Sequence, residues 1–116
     1  MPLCKLAAPV TALVCHCACP DHDSATRIAE MLVAERLAAC VNVVGGVTSV
    51  YRWRDGIERA DEVLLLIKTT AARLDSLQQR VVALHPYELP EVIAVEAVGG
   101  SPAYLDWIHQ HCRQET

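Results

Sequence analysis

The chain has 116 residues, enough for one domain with a substantial core but not for two, so we predict a single domain over residues 1–116. Hydrophobic residues make up 53% of the chain and charged residues 21%, which is typical of a globular protein on the apolar side. The net charge of −4 and the lack of basic clusters argue against nucleic acid as a partner.

The first residues of the chain, 1–12, contain one lysine and then an apolar run that faintly resembles a signal peptide. Pro2 and Pro9 interrupt that run, and no clear pair of small residues ends it as a cleavage site. We therefore predict a cytoplasmic protein, and we expect no membrane partner.

The next residues, 11–19, predict a strand that is followed by a turn and then by a helix. Asp21 or Asp23 is the expected cap of that helix. Its apolar residues recur at helical spacing and are expected to face a core: Ala25, Ile28, Ala29, Leu32 and Leu37.

Two long antiparallel strands are predicted over residues 40–53 and 57–70, on either side of the turn signal Arg54-Asp55-Gly56. Gly45-Gly46 inside the first of them indicates a bulge rather than a strand end. A second helix follows, with Thr69 or Thr70 as its expected cap and Pro86 as its stop.

A fourth strand is predicted over residues 91–98, and Pro102 is expected at the first position of a C-terminal helix. The order is β-α-β-β-α-β plus one helix. Right-handed crossovers place the two main helices on one face of a four-stranded antiparallel sheet. The predicted fold is therefore an α+β, ferredoxin-like sandwich with a long hairpin between its second and third strands.

The hairpin predicts self-association. Thirteen or so residues at about 3.3 Å each give an arm of roughly 40 Å, whereas a compact domain of this length is roughly 35 Å across. Tyr51, Trp53 and Ile57 near the hairpin end lack local chain to cover them, and residues 63–67 are apolar on both faces of their strand. We expect other copies of the chain to cover these surfaces.

Six cysteines in a short chain permit a disulfide framework, but the ample apolar content favours reduced, mostly buried thiols. Cys15, Cys17 and Cys19 alternate along the first strand and share one face. Residues two apart in a strand are about 6.6 Å apart, while two sulfurs on one zinc ion lie within about 4.6 Å of each other. Packing as small apolar side chains is the favoured interpretation, and one of them joining a site built from elsewhere is the alternative.

The connection from His85 to Glu91 is the most unusual polar segment, because Pro86 and Pro90 restrict it while it carries an imidazole, a phenol and carboxylates. It is either a stiff connection in which His85 caps the second helix, or a functional loop. His109 and His111 face different ways on a helix and are expected to be solvated. The sequence has no glycine-rich phosphate loop, nucleophile elbow or zinc-protease histidine pair, so we predict a non-enzymatic protein. A Cys17–His85 nucleophile pair is the alternative, but the sequence supplies neither a third group to orient it nor an oxyanion site.

Several motifs, in this order, resemble those of the CutA family of divalent-cation tolerance proteins: residues 34–42 (AERLAACVN), 49–53 (SVYRW), 66–70 (LIKTT), 85–91 (HPYELPE) and 104–107 (YLDW). The resemblance covers residues 10–108. It implies a small ferredoxin-like trimer with interlocking hairpins, similar in architecture to the PII signalling proteins, and a role in tolerance to copper and other divalent metals.

The same resemblance implies which residues hold the metal. The proposed copper ligands of the family map to Cys17 and Glu91, and a histidine doublet of some members maps to Leu84-His85. The expected metal ligands are thus Cys17, His85 and Glu91, for a weakly bound copper or other divalent cation.

The clefts between subunits would be lined by Tyr51, Trp53, Lys68 and Tyr87. An alternative function is a PII-like signalling or scaffold trimer that binds a small ligand or a protein in these clefts.

Overall fold

The structure, a computed structural model, describes residues 11–113. Its elements in chain order are β1 (Ala12–Cys19), α1 (His22–Ala34), β2 (Cys40–Trp53), β3 (Gly56–Thr70), a short 3-10 helix (Ala71–Arg73), α2 (Leu74–Leu84), β4 (Ile93–Glu96) and α3 (Pro102–His111). This confirms the predicted element order and the α+β class. The predictions about a signal peptide, and about the sixth cysteine, Cys4, fall outside the described residues.

The four strands form one antiparallel sheet in the order β2-β3-β1-β4. Strand β1 is central, paired over its whole length with β3 and from Leu13 to His16 with β4. The main core lies between one face of this sheet and the two helices α1 and α2. Its fully buried members from both layers include Cys15, Cys17, Ile28, Leu32, Leu65, Ile67, Leu77 and Val81.

The hairpin of β2 and β3 dominates the shape of the molecule. The described chain extends 58 Å along its longest axis but only 27 and 22 Å along the others, and its radius of gyration is 15.9 Å rather than the roughly 13 Å of a compact domain of this size. Ile57 near the tip is 71% exposed. The elongation agrees with a hairpin that projects beyond the rest of its own domain.

Two glycine-related predictions for this hairpin have different outcomes. The pairing register shifts between Val44 and Val47, and Gly46 has a φ of 76°, so the predicted bulge is present. The turn itself consists of Arg54 and Asp55, with Gly56 already in β3. Arg54, not the glycine, has the left-handed φ of 56°.

The starts of two helices, α1 and α3, are as the sequence predicts, and the start of the second helical segment is not. The Asp21 side chain accepts a hydrogen bond from the Ser24 amide at 2.8 Å, and Ser101 caps α3 before Pro102. The predicted threonine cap of the second helical segment is wrong, because Thr70 precedes the 3-10 helix without a side-chain bond. Thr69 instead donates to the buried carbonyl of Leu37 at 2.7 Å, tying β3 to the segment after α1.

The face of the sheet opposite α1 and α2 is largely uncovered by the described residues. Side chains directly paired across antiparallel strands share a face, and on this face Val44 pairs with Leu64 while Val14 pairs with Val95. Val95 is 51% exposed, and the neighbouring Ile93 is exposed as well. Among residues 11–113, no helix is long and apolar enough to cross a membrane.

Candidate metal centre

Two thiols and one imidazole meet on the helix side of the sheet. Cys17 and Cys19 lie in the last three residues of β1, and His85 is the residue after α2. All three side chains are buried, and their potential ligand atoms lie within 4.8 Å of one another. Cys15, on the same face two residues earlier, is buried outside this group.

The cluster bears on the prediction that cysteines two residues apart in a strand are too far apart to share one metal ion. Three strand cysteines do not converge, as expected, but two of them come closer at their sulfurs than the rise along a strand suggests. Side-chain direction accounts for the difference, since neighbouring side chains on one face can lean along the strand. All five cysteines that the structure describes are free thiols, and all but the half-buried Cys40 are buried, in agreement with the predicted reduced state.

The imidazole of His85 has a hydrogen-bond partner on each nitrogen. Its Nδ1 accepts from the Tyr87 amide at 3.0 Å, and its Nε2 lies 2.8 Å from the carbonyl oxygen of Ala18. Because the amide can only donate and the carbonyl can only accept, the proton must be on Nε2. The interpretation of His85 as a helix cap holds for its backbone amide, which donates to Val81 at 2.9 Å, but not for its ring.

The two thiols of the cluster are electrostatically unequal. Cys17 donates its S–H to Cys19, and this hydrogen bond, together with burial and the nearby carboxylates of Glu91 and Glu62, raises the pKa of Cys17. Accepting that hydrogen bond lowers the pKa of Cys19. The two thiols therefore titrate as an interacting pair, in which one hydrogen bond shifts the two pKa values in opposite directions.

A groove of about 510 Å³ lies beside the cluster and is lined by residues of the hairpin and of the connection between α2 and β4. Its wall includes three of the four predicted cleft residues, Tyr51, Trp53 and Tyr87. Lys68, the fourth, does not line it and instead hydrogen-bonds the side chain of Asn42. Carboxylates dominate its polar lining: Glu58, Glu62, Glu88 and Glu91.

One contact joins the hairpin to the α2–β4 connection across this groove. The Tyr87 hydroxyl donates to Oε2 of Glu62 at 2.6 Å, and Glu62 is only 8% exposed. Burial and this hydrogen bond raise the pKa of Tyr87. Tyr87 thus contacts the groove through its hydroxyl and the metal candidate through its amide.

The expected ligands are only partly brought together. Cys17 and His85 lie in the cluster, whereas Glu91 lines the groove and acts on Cys17 through its charge. Sequence reasoning missed Cys19 as a member, although its place two residues after Cys17 was visible. It also missed Glu62, for which the only signal was a carboxylate at the start of an otherwise apolar run.

The histidines of α3 lie away from the cluster. His109 and His111 are both exposed, as the helical spacing predicted. The ring of His111 packs against Trp107 with centroids 4.9 Å apart.

Comparison with known proteins decides the family. The sequence profile described as "CutA1 divalent ion tolerance protein" matches residues 13–111, most of the chain. The chain belongs to the CutA1 family. This confirms the resemblance noted in the sequence, and it does not favour the PII-like signalling alternative.

Individual CutA relatives agree with this assignment. The "Divalent-cation tolerance protein CutA" of Thermus thermophilus is 48% identical over 92 residues, which are 79% of this chain and 89% of that protein. The mouse "Protein CutA" is 46% identical over 92 residues, but these are only 52% of its length. The crystal structure of CutA from Xylella fastidiosa superposes with a TM-score of 0.86 at 46% identity, over 88% of this chain and 98% of that one.

Proposed function

We propose that this CutA-family chain is a non-catalytic divalent-cation tolerance protein that works by binding metal ions as a cytoplasmic homotrimer. The observation that carries the proposal is the buried cluster in which Cys17 and His85 lie with their ligand atoms within 4.8 Å. Relatives of the chain are named for tolerance to divalent cations. The cluster supports such a role, because it supplies side chains in this chain that can bind a divalent cation.

The residue types suit copper and other borderline or soft cations. Thiolate and imidazole bind such ions in preference to magnesium or calcium, which prefer oxygen ligands. Glu91 lies in the adjoining groove, where its charge raises the local concentration of cations. Ligands must lose their protons on binding, so metal affinity falls as pH falls.

The uncovered apolar surfaces support the trimer. The sheet face opposite the helices exposes Val95 and Ile93, and the hairpin exposes Ile57. Apolar patches rimmed by polar residues are typical of protein interfaces. In a closed, rotationally symmetric trimer, the apolar surfaces of each chain can be covered by the neighbouring chains, so that none is left exposed. Free thiols at all five cysteines that the structure describes support a reducing compartment.

The proposal is tested in cells and in solution together. Bacteria that lack their own CutA protein are grown with and without this chain under rising copper or zinc, beside Cys17→Ser as the test variant and Cys15→Ser as the control. We expect wild type and the control to restore growth and Cys17→Ser to restore much less. Light scattering should give about three times the chain mass of 12.7 kDa, with and without reductant.

Two results would overturn the proposal. Equal growth with Cys17→Ser and wild type would show that the cluster is not needed for metal tolerance. A monomer at micromolar concentration would refute the proposed trimer.

A further inference from the structure

We propose that Cys19 is the second thiolate ligand of a site for a borderline-soft divalent cation of the zinc and cadmium class, formed with Cys17 and His85. This inference rests on the proposed metal-binding function and names its ligand set and ion. Cys19 replaces Glu91 as the third protein ligand. The carboxylate of Glu91 remains in the groove, near enough to act on Cys17 through its charge.

The geometry is close to that of a bound site. With zinc–sulfur bonds of about 2.3 Å, two sulfurs on a tetrahedral or trigonal ion are about 3.8–4.0 Å apart. The ligand atoms of Cys17, Cys19 and His85 already lie within 4.8 Å of one another. Side-chain rotations that move each ligand atom by less than about 1 Å bring the three atoms to coordination distance. Three protein ligands leave a fourth tetrahedral position for water or a carboxylate.

Charge selects a divalent ion over a monovalent one. Two thiolates and a neutral imidazole carry −2, so a divalent cation makes the buried site neutral once each thiol has released its proton. A monovalent ion on both thiolates leaves a net −1, buried next to Glu62 and Glu91, and an uncompensated buried charge is costly. Magnesium and calcium are excluded by their preference for oxygen ligands.

Binding at His85 must also release Tyr87. If the ion binds Nδ1, it takes the atom that accepts from the Tyr87 amide, while Nε2–H keeps its bond to the Ala18 carbonyl. If the ion binds Nε2, the neutral ring carries its proton on Nδ1 and faces the amide with a second donor. In both cases the Tyr87 amide loses its acceptor. Coordination through Nδ1 would preserve the outer hydrogen bond to the Ala18 carbonyl, and coordination through Nε2 would break it.

The test uses the full-length, reduced protein. Zinc affinity is measured by competition with a chromophoric chelator, and thiolate ligation by the ultraviolet charge-transfer absorbance of the cadmium form. Cys19→Ala is the test variant, and Cys15→Ala is its matched control on the same face of the same strand. Glu91→Gln tests the competing ligand.

We expect Cys19→Ala to lower zinc affinity at least about tenfold, since loss of an outer-shell partner alone costs 10- to 100-fold, and to halve the cadmium absorbance. Cys15→Ala should change neither quantity. If Cys19→Ala is misfolded, wild type still decides the matter. Its cadmium absorbance must correspond to two thiolates, and the amide resonance of Tyr87 must shift on zinc binding while amides of α3 do not.

The outcomes separate this inference from the proposed function. Zinc binding that survives Cys19→Ala but is lost in Glu91→Gln, or cadmium absorbance of one thiolate, overturns the role of Cys19 and leaves metal binding intact. Failure of the wild-type protein to bind zinc, cadmium or copper overturns both.

Discussion

Replacing Tyr87 with phenylalanine should destabilise the protein through a single hydrogen bond. The Tyr87 hydroxyl donates to Glu62 at 2.6 Å, and Glu62 is 92% shielded from water. Removing the donor leaves a buried carboxylate oxygen without that partner, whereas the ring itself is kept. Hydrogen bonds to charged groups contribute about 1.5–3 kcal/mol, so Tyr87→Phe should lower the free energy of unfolding by about that amount.

A double-mutant cycle isolates this contact from other effects of the substitution. Glu62→Met removes the acceptor and keeps the length of the side chain. In that background Tyr87→Phe should be nearly neutral, which gives a coupling energy of about 1.5–3 kcal/mol. Guanidinium denaturation is followed at one fixed protein concentration, because the proposed trimer would make stability concentration-dependent.

Tyr51→Phe is the matched control for this cycle. Tyr51 lines the same groove, but its hydroxyl makes no hydrogen bond to the part of the chain that the structure describes. We expect it to change stability by less than about 0.5 kcal/mol, because it keeps the ring and removes a hydroxyl that has no such partner. A coupling energy below about 0.5 kcal/mol for Tyr87 and Glu62 would refute the claim that this bond fastens the loop to the hairpin.

Three further predictions concern other parts of the chain. Arg54→Asn should raise the denaturation midpoint by the equivalent of about 1 kcal/mol, because asparagine tolerates the left-handed φ of 56° better than arginine does; a lower midpoint would contradict this. Burial raises the pKa of Cys112, so above the ordinary thiol pKa of about 8.5 the unfolded state loses a proton that the folded state keeps. Stability should then fall by at most about 1.4 kcal/mol per pH unit from this group, and a Cys112→Ala variant with an equally steep fall would exclude this cause. Leu84→His should strengthen metal binding in calorimetric titration by adding an imidazole beside His85, and unchanged affinity would remove that position from the site.

The fold could be predicted from the sequence because its signals are local and agree with one another. The strand alternation, the Asp21 cap and the Pro102 start each fix an element within a residue or two. The hairpin turn was harder to place. The sequence offers a glycine at position 56, but the chain takes its positive φ at Arg54, because the pairing of Trp53 with Gly56 leaves only two residues for the loop.

The candidate site was only partly predictable because it depends on contacts between distant segments. Cys17 and His85 are 68 residues apart in the chain, and their meeting was inferred from the family resemblance rather than from spacing. The rise per residue of an ideal strand separates Cys19 from Cys17, and it leaves at most one of the strand cysteines for a site, because it ignores side-chain direction. Glu62 gave no usable signal, since its role comes from the Tyr87 hydroxyl on another element.

The position of His85 follows from where β4 begins. The carbonyl of Ala12 accepts from the amide of Ala97 at 2.9 Å, so along β1 every second carbonyl from Ala12 points toward β4. Ala18 belongs to this series. The ladder between β1 and β4 ends before reaching it, with His16 opposite Ile93. A buried carbonyl at this edge requires another donor.

That donor is the ring of His85, and the strand predicted over residues 91–98 would have excluded it. Continued by two residues in the same register, β4 would place Glu91 opposite Ala18 and direct its amide at the same carbonyl. The observed β4, Ile93–Glu96, starts later and leaves the oxygen to Nε2 of His85 at 2.8 Å. A longer fourth strand and a histidine beside the two thiols are therefore alternatives, and the shorter strand is a structural condition of the candidate metal centre.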